Sequence, residues 1–200
     1  MTTEKYTGSA ERWSRDQYAD SATYLRRRAE LIAPGLERGE TILDLACGDG
    51  GLAAFLPGFD YRGIDLNEAM VAAARRNGVQ AELGDLNEYV PPAPVAATTV
   101  FRAIYYARDR ATFFRHLASY TQRKVVFDLN PRQYDVDDVL ADLAAAGFAA
   151  VTLRPFFVPQ RVQLPAPAAL LAQSLERSGP LARAILRARF TYIVVASAPS

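Results

Sequence analysis

The sequence predicts an α/β fold: a doubly wound, mostly parallel sheet with helices on both faces. Three observations carry this. Apolar strand signals alternate with helix signals from residue 40 onward, most connections between them are short, and the first strand runs directly into a glycine cluster, Thr41-Ile-Leu-Asp-Leu-Ala-Cys-Gly-Asp-Gly-Gly. A βαβα rhythm buries strands between helical layers and links parallel neighbours by right-handed crossovers. The 200 residues are read as one domain, since that length fills one core and is marginal for two.

In chain order, residues 1–19 are polar and aromatic without sustained period, and residues 20–33 read as a helix stopped by Pro34-Gly35. Strands are expected over 40–46, 59–66, 79–86, 97–104, 124–130, 148–156 and 190–198. Between them, 51–56 reads as a short helix, and 67–78 as a helix with Asn67 as N-cap and Gly78 past its end. Pro91-Pro92-Ala93-Pro94 forms a turn, 109–121 a helix capped by Asp109, and 135–147 a helix opened by Asp135 and closed by Gly147. The stretch 158–189 is too long for an ordinary connection and reads as two short helices, 169–178 and 181–190, split by Gly179-Pro180. From Pro159 to Arg189 it carries five arginines against Glu176, a local charge of +4. The chain divides accordingly into an N-terminal helix and lid segment (1–34), a binding core (35–158), an inserted helical segment (159–189) and a last strand (190–198).

Composition narrows the partners. With 23 basic and 22 acidic side chains, no net field recruits nucleic acid. The single cysteine, Cys47, excludes an internal disulfide and a cysteine-based zinc site, and no metal centre is expected. No signal-peptide core and no spanning apolar run is read, so a cytoplasmic protein is expected.

In a doubly wound sheet the ligand lies beyond the carboxyl ends of the strands, so the loop at 46–51 is the expected site. Gly48-Asp49-Gly50-Gly51-Leu52-Ala53 formally matches a dinucleotide-phosphate pattern, a weak signal by itself. The carboxylates argue otherwise. Asp44, inside the first strand end, would repel a pyrophosphate but suits a ligand ammonium. Asp65, at the second strand tip, can accept both ribose hydroxyls, with Leu66 against an adenine. Asp85, at the third tip, can accept from the adenine amino group. Together they describe adenosine with a cationic amino-acid tail, 21 residues separating Asp44 from Asp65 and 20 separating Asp65 from Asp85.

On these residues the chain resembles class I S-adenosylmethionine-dependent methyltransferases. ILDLACGDG is similar to their first motif with Ala46 in place of the first glycine, GIDLNEAM to the second and GDL at 84–86 to the third. The resemblance implies a Rossmann-like, seven-stranded sheet with its last strand antiparallel, and S-adenosylmethionine as cofactor. It implies a cofactor set of Tyr18, Asp44, Ala46, Cys47, Gly48, Asp49, Gly50, Asp65, Leu66 and Met70, continued by Gly84, Asp85, Leu86, Phe101 and Arg102. Tyr18 enters through an N-terminal lid that also carries Trp13 and Tyr24. The expected reaction is methyl transfer to an oxygen or nitrogen of a small molecule.

On the acceptor side stand Arg102, Tyr105 and Tyr106, at the expected fourth tip. Either the tyrosines orient the acceptor while Arg102 meets cofactor or an anionic group, or the tyrosines pack and Arg102 pairs with Asp128 or another strand-end carboxylate. Ala97-Thr98-Thr99 occupies the place of an acidic residue common in the family. His116, the only histidine, falls on the flank of its helix beside a stripe of Phe113, Phe114, Leu117 and Ala118, and is not expected in catalysis. Asn130-Pro131 lacks the remainder of a DNA-methylation motif, so a DNA acceptor is excluded. Leucines among the arginines of 159–189 leave peripheral lipid contact as a second use for that segment. Two alternatives remain, a nicotinamide-dependent oxidoreductase or epimerase and a non-catalytic adenosine-binding protein. The first would show a tyrosine with lysine four residues on; Tyr89, Tyr105, Tyr106, Tyr120 and Tyr134 are read as lacking one, a reading that Lys124 corrects for Tyr120.

Overall fold

A computed structural model describes residues 10–177 and 191–199. A 3-10 turn at Ala10–Arg12 runs into helix α1 (Trp13–Asp16), followed by α2 (Ser21–Ile32) and β1 (Thr41–Leu45). Next come β2 (Asp60–Asp65), α3 (Glu68–Arg76), β3 (Gln80–Leu83) and β4 (Val95–Val100). Then follow α4 (Arg110–Ala118), β5 (Thr121–Leu129), α5 (Val136–Ala145), β6 (Ala149–Pro155), α6 (Ala166–Glu176) and β7 (Tyr192–Ser197). The strands form one sheet in the order β3-β2-β1-β4-β5-β7-β6. The five strands on the β3 side are mutually parallel, and β7 is inserted antiparallel between β5 and β6. This is the expected doubly wound seven-stranded sheet, its last strand reversed.

The strand period of two separates the core into two faces. Leu43, Leu45, Val125, Phe127 and Leu129 face one layer, where Phe113, Phe114 and Leu117 of α4 and Val139 and Leu143 of α5 cover them. Ile42, Ala97, Val126 and Ile193 face the other, against Tyr24, Leu25 and Ile32 of α2 and Val71 and Ala74 of α3. Burying side chains of this size stabilises the fold by about 1.5–3 kcal/mol each. The helix starts follow the capping residues. Asp20, Asn67, Asp109 and Asp135 each accept from backbone N–H groups of the first turn, and Gly78 and Gly147 take positive φ just past helix ends.

Several boundaries differ from the sequence expectation. Residues 51–56 hold a 3-10 turn (Ala53–Phe55) and no α-helix, because Pro57-Gly58 leaves no length to offset nucleation. The third strand stops at Leu83, since the Asp85 carbonyl accepts from the Glu88 and Tyr89 amides and turns the chain. The fourth strand runs over 95–100 and not 97–104. Arg102 takes φ 56°, and a 3-10 turn at Ile104–Tyr106 follows. Helix α4 ends at Ala118, and Thr121 already opens β5, held in place by the Val95 amide on the Tyr120 carbonyl. In the inserted segment the first helix begins at Ala166, where Pro165 and Pro167 fit a helix start. The expected second helix at 181–190 and Phe190 of the last strand lie outside the described residues. Among the described residues no helix is long and apolar enough to cross a membrane.

Candidate functional site

The carboxyl ends of β1, β2, β3 and β4 converge on a cavity of about 320 Å³, closed on its far side by α1 and α2. The loop after β1 sets its floor. Ala46, Gly48 and Gly50 have φ of 61°, 58° and 71°, the left-handed region that glycine enters without strain. The Gly48 amide donates to the Asp65 carboxylate at 2.9 Å, and the Asn67 amide donates to its other oxygen at 2.9 Å. Asp65 thus laces the glycine loop to the tip of β2 and to the start of α3. Burial raises its carboxyl above the ordinary range, opposed by the Asn67, Gly48 and Leu66 amides.

Asp44 is 4% exposed yet borders the cavity. Strand register places Thr99 of β4 beside it, and the Thr99 hydroxyl donates to one carboxylate oxygen at 2.6 Å. The Tyr61 hydroxyl donates to the other. Burial pushes the Asp44 carboxyl up to about 6 despite both donors and the nearby Arg28. Cys47 packs, half-buried, against Gly63 of β2; desolvation, then Asp44 and Asp65, push its thiol well above the ordinary value, so it holds no reactive thiolate.

At the β3 end, Asp85 accepts from the Asn87 amide at 2.9 Å and from the Asn87 side chain at 2.8 Å. Its second oxygen accepts from Arg108 at 2.5 Å. Burial opposes ionisation, but Asn87 and Arg108 outweigh it and hold the carboxyl below the ordinary range. Leu66 stands 59% exposed at the rim, while Met70 is buried beneath. Gly84 and Leu86 complete this wall.

The opposite wall is aromatic and cationic. Tyr18 stacks on Tyr24 with ring centroids 3.8 Å apart. The Arg28 guanidinium lies 4.6 Å from the Tyr24 ring and 4.2 Å from the Phe101 ring, an arrangement favourable for cation–π attraction. It is paired with Asp128 at 3.0 Å, and its Nε–H, buried, has no acceptor. The other Asp128 oxygen accepts the Arg102 amide at 2.6 Å and holds that residue in its positive-φ turn. Of the two readings of Arg102, the ion pair with Asp128 does not form: Arg28 takes the charge, and only the Arg102 backbone meets Asp128. Arg28 lies on the inward stripe of α2 with Tyr24, Leu25, Ala29 and Ile32. Its i+4 spacing from Tyr24 was the available sequence signal, obscured by the Arg26-Arg27-Arg28 run.

Of the residues expected from sequence, Tyr18, Asp44, Ala46, Cys47, Gly48 and Asp65 border the cavity. So do Leu66, Met70, Gly84, Asp85, Leu86 and Phe101, with Arg102, Tyr105 and Tyr106. Two stand outside its lining. Asp49 turns its carboxylate to α1, accepting the Ser14 amide at 2.9 Å and the Ser14 hydroxyl. Gly50 faces Val79 and Ala74 behind the loop. His116 contacts the Tyr89 carbonyl at 2.9 Å and does not border the cavity. Ser14, Arg28, Asn87 and Arg108 border it without having been anticipated; the acidic partners of Ser14, Arg28 and Arg108 are distant in sequence.

One tyrosine does precede a lysine by four residues, Tyr120-Thr121-Gln122-Arg123-Lys124. The structure removes this pair from consideration as an oxidoreductase centre. It lies at the amino end of β5, Tyr120 is packed in the core, the Lys124 ammonium donates to the Pro34 carbonyl, and neither borders the cavity.

Comparison with known proteins agrees with this geometry. Residues 42–124 match the family profile of a methyltransferase domain. The trans-aconitate 2-methyltransferase of Mycobacterium tuberculosis is 39% identical over 85 residues, covering 40% of this chain and 33% of the relative. The match thus spans about a third of that relative's length. A TehB-like S-adenosylmethionine-dependent methyltransferase from Corynebacterium glutamicum superposes with a TM-score of 0.67 at 16% identity, covering 98% of this chain and 97% of the other. Magnesium protoporphyrin IX methyltransferase from Synechocystis, solved with bound S-adenosylmethionine, gives a TM-score of 0.64 at 18% identity, covering 96% and 84%. The chain thus shares its fold with S-adenosylmethionine-dependent methyltransferases, and residues 42–124, which run from β1 into β5 and include the glycine loop, match a methyltransferase domain.

Proposed function

We propose that this protein transfers the methyl group of S-adenosylmethionine to an oxygen or nitrogen of a small-molecule acceptor. The observation that carries the reading is the convergence of Asp44, Asp65 and Asp85, from the ends of three adjacent strands, on one cavity that is also bordered by Arg28, whose buried Nε–H has no partner. Asp65 would take the ribose hydroxyls, Asp85 and Leu86 the adenine edge, and Leu66 and Met70 the adenine faces. Asp44 would face the ammonium of the methionine tail. The Arg28 Nε–H, a donor with no acceptor of its own, fits the α-carboxylate. Ala46, Cys47 and Gly48 would approach the tail with backbone, while Asp49 and Gly50 shape that loop from behind.

When bound, the cofactor supplies a methyl carbon already activated by a positive sulfur. What remains for the chain is placement, since aligning nucleophile, carbon and leaving sulfur supplies most of the acceleration in such a transfer. Phe101, Tyr105 and Tyr106 form the wall from which an acceptor would be presented.

Calorimetry with S-adenosylmethionine and with NAD tests the reading. Tight S-adenosylmethionine binding that Asp65→Ala abolishes is the expected result; NAD binding alone would replace methyl transfer by nicotinamide chemistry. Trans-aconitate, the acceptor named for the mycobacterial relative, heads the acceptor screen. Cofactor binding with no S-adenosylhomocysteine formed from any acceptor would leave a non-catalytic binding protein.

A further inference from the structure

The geometry points to an acceptor with two carboxylates, one anchored by Arg102 and the other attacking the methyl group. This rests on the methyl-transfer reading above and adds the substrate class. Among the described residues, the cations around the cavity pair off except at one place. Asp85 has Arg108, Asp128 has Arg28, and Asp44 and Asp65 have only neutral hydrogen-bond donors, as a cationic cofactor requires. Arg102 is the cation left over. Its guanidinium meets Gln17 Oε1 at 3.2 Å and the rings of Trp13 and Tyr18 at 6.0 and 5.8 Å, with no carboxylate within ion-pair distance among the described residues.

Arg102 is also held on the cavity at a conformational cost. Its φ of 56° is rare for a non-glycine residue and is maintained by the Asp128 carboxylate on its amide. Asp128 therefore cannot swing to neutralise the guanidinium, because Arg28 and that amide occupy both of its oxygens. A half-buried guanidinium fixed at a ligand cavity with no anion of its own recruits one from the ligand, and its planar fork matches a carboxylate.

The cavity also determines the nucleophile. No imidazole borders it, and the carboxylates that do, Asp44, Asp65 and Asp85, are those assigned above to the cofactor. An acceptor that must lose a proton would lack a base, whereas a carboxylate is ionised at neutral pH. Its oxygen lone pair forms the O–CH3 bond as the C–S bond breaks and that electron pair stays on sulfur. The carboxylate's negative charge and the sulfonium's positive charge vanish together, leaving a methyl ester and a neutral thioether, and no proton moves. A second carboxylate is required for anchoring, because a guanidinium on the attacking oxygen would weaken its nucleophilicity.

The test uses the full chain with methyl-labelled S-adenosylmethionine and a panel of C4–C6 di- and tricarboxylates, each beside its amide, with amines and phenols for comparison. The expected product carries label released as methanol by mild alkali, the signature of a methyl ester. Arg102→Gln is expected to raise the KM for the dicarboxylate by about tenfold or more, while the calorimetric Kd for S-adenosylmethionine moves less than about threefold. Arg102→Lys should recover part of the loss. Independently of turnover, the active dicarboxylate should raise the melting temperature of the wild-type S-adenosylhomocysteine complex and not that of the Arg102→Gln complex. Alkali-stable label on amines or phenols alone, or no labelled carboxylate while the cofactor binds, overturns the proposal and leaves methyl transfer standing. An Arg102→Gln loss of cofactor affinity equal to its loss of acceptor affinity also overturns it, assigning Arg102 to the cofactor. Absence of S-adenosylmethionine binding removes both readings.

Discussion

At the scale of single residues, Asp44 is the most informative group. Its carboxyl is pushed up to about 6 by burial, so it is protonated in the cofactor-free protein below that pH and ionised above it. A folded value above the unfolded one means that the native state holds the proton more tightly. Its contribution to stability therefore falls as pH rises from the ordinary carboxyl range to about 6, and is flat beyond. Cofactor affinity runs the other way, because an ammonium favours the ionised form. Titration calorimetry should show Kd for S-adenosylmethionine weakening below about pH 6, toward a limit of about tenfold per pH unit, and Asp44→Asn should flatten that dependence. A pH-independent Kd in the wild type would remove Asp44 from the ammonium site. The position of Asp44 was legible in the sequence. Its tuning was not, because Tyr61 and Thr99 reach it from two other strands.

At the scale of elements, the N-terminal segment is docked by a few identifiable contacts. Ser14 donates twice to Asp49, and Trp13 lies on Gly48 so closely that an added Cβ there would meet its ring at 3.0 Å. Helix α1 thus sits on the glycine loop, and Tyr18 and Arg102 hang beneath it. Gly48→Ala and Ser14→Ala should each loosen this contact. Limited proteolysis should then cut near residues 10–18 faster, and the S-adenosylmethionine off-rate should rise; unchanged cleavage in both variants would show that α1 is held elsewhere. Capping offers a control remote from the site. Asp135→Ala removes the acceptor for two amides of α5 and is expected to cost about 1 kcal/mol in urea unfolding with cofactor affinity unchanged. The helix caps were readable because a cap is a local interaction, and Asp20, Asn67, Asp109 and Asp135 all occupy such positions. The early end of β4 was not, since the Arg102 turn that follows it is held by Asp128 from β5, whereas β3 ends at a local turn on the Asp85 carbonyl.

For the whole molecule, the sheet is a rigid platform whose strand ends present the site. Phe127 lies at its centre, fully buried between β5 neighbours and Phe114 of α4. Phe127→Ala should cost about 3–5 kcal/mol in equilibrium unfolding, by lost transfer energy and an unfilled cavity. Because Asp128, the next residue, holds both Arg28 and Arg102, the same substitution should also weaken acceptor binding more than its distance from the cavity suggests. A smaller loss of stability would mean that the two faces of the sheet relax into the space.

The sequence by itself determined the fold class, the helix starts and the acidic strand tips, because strand and helix periods, caps and motif spacings are properties of contiguous residues. The N-terminal aromatics also carried Tyr18 to the cavity. Tertiary structure alone decided which charges are spent and which remain available. Asp128 goes to Arg28 over a separation of 100 residues, Asp85 to Arg108 over 23, and Asp49 to Ser14 over 35. Arg102 is left without an acid only after those pairs have formed. Pairings between distant elements depend on crossovers and side-chain reach, which no local pattern encodes.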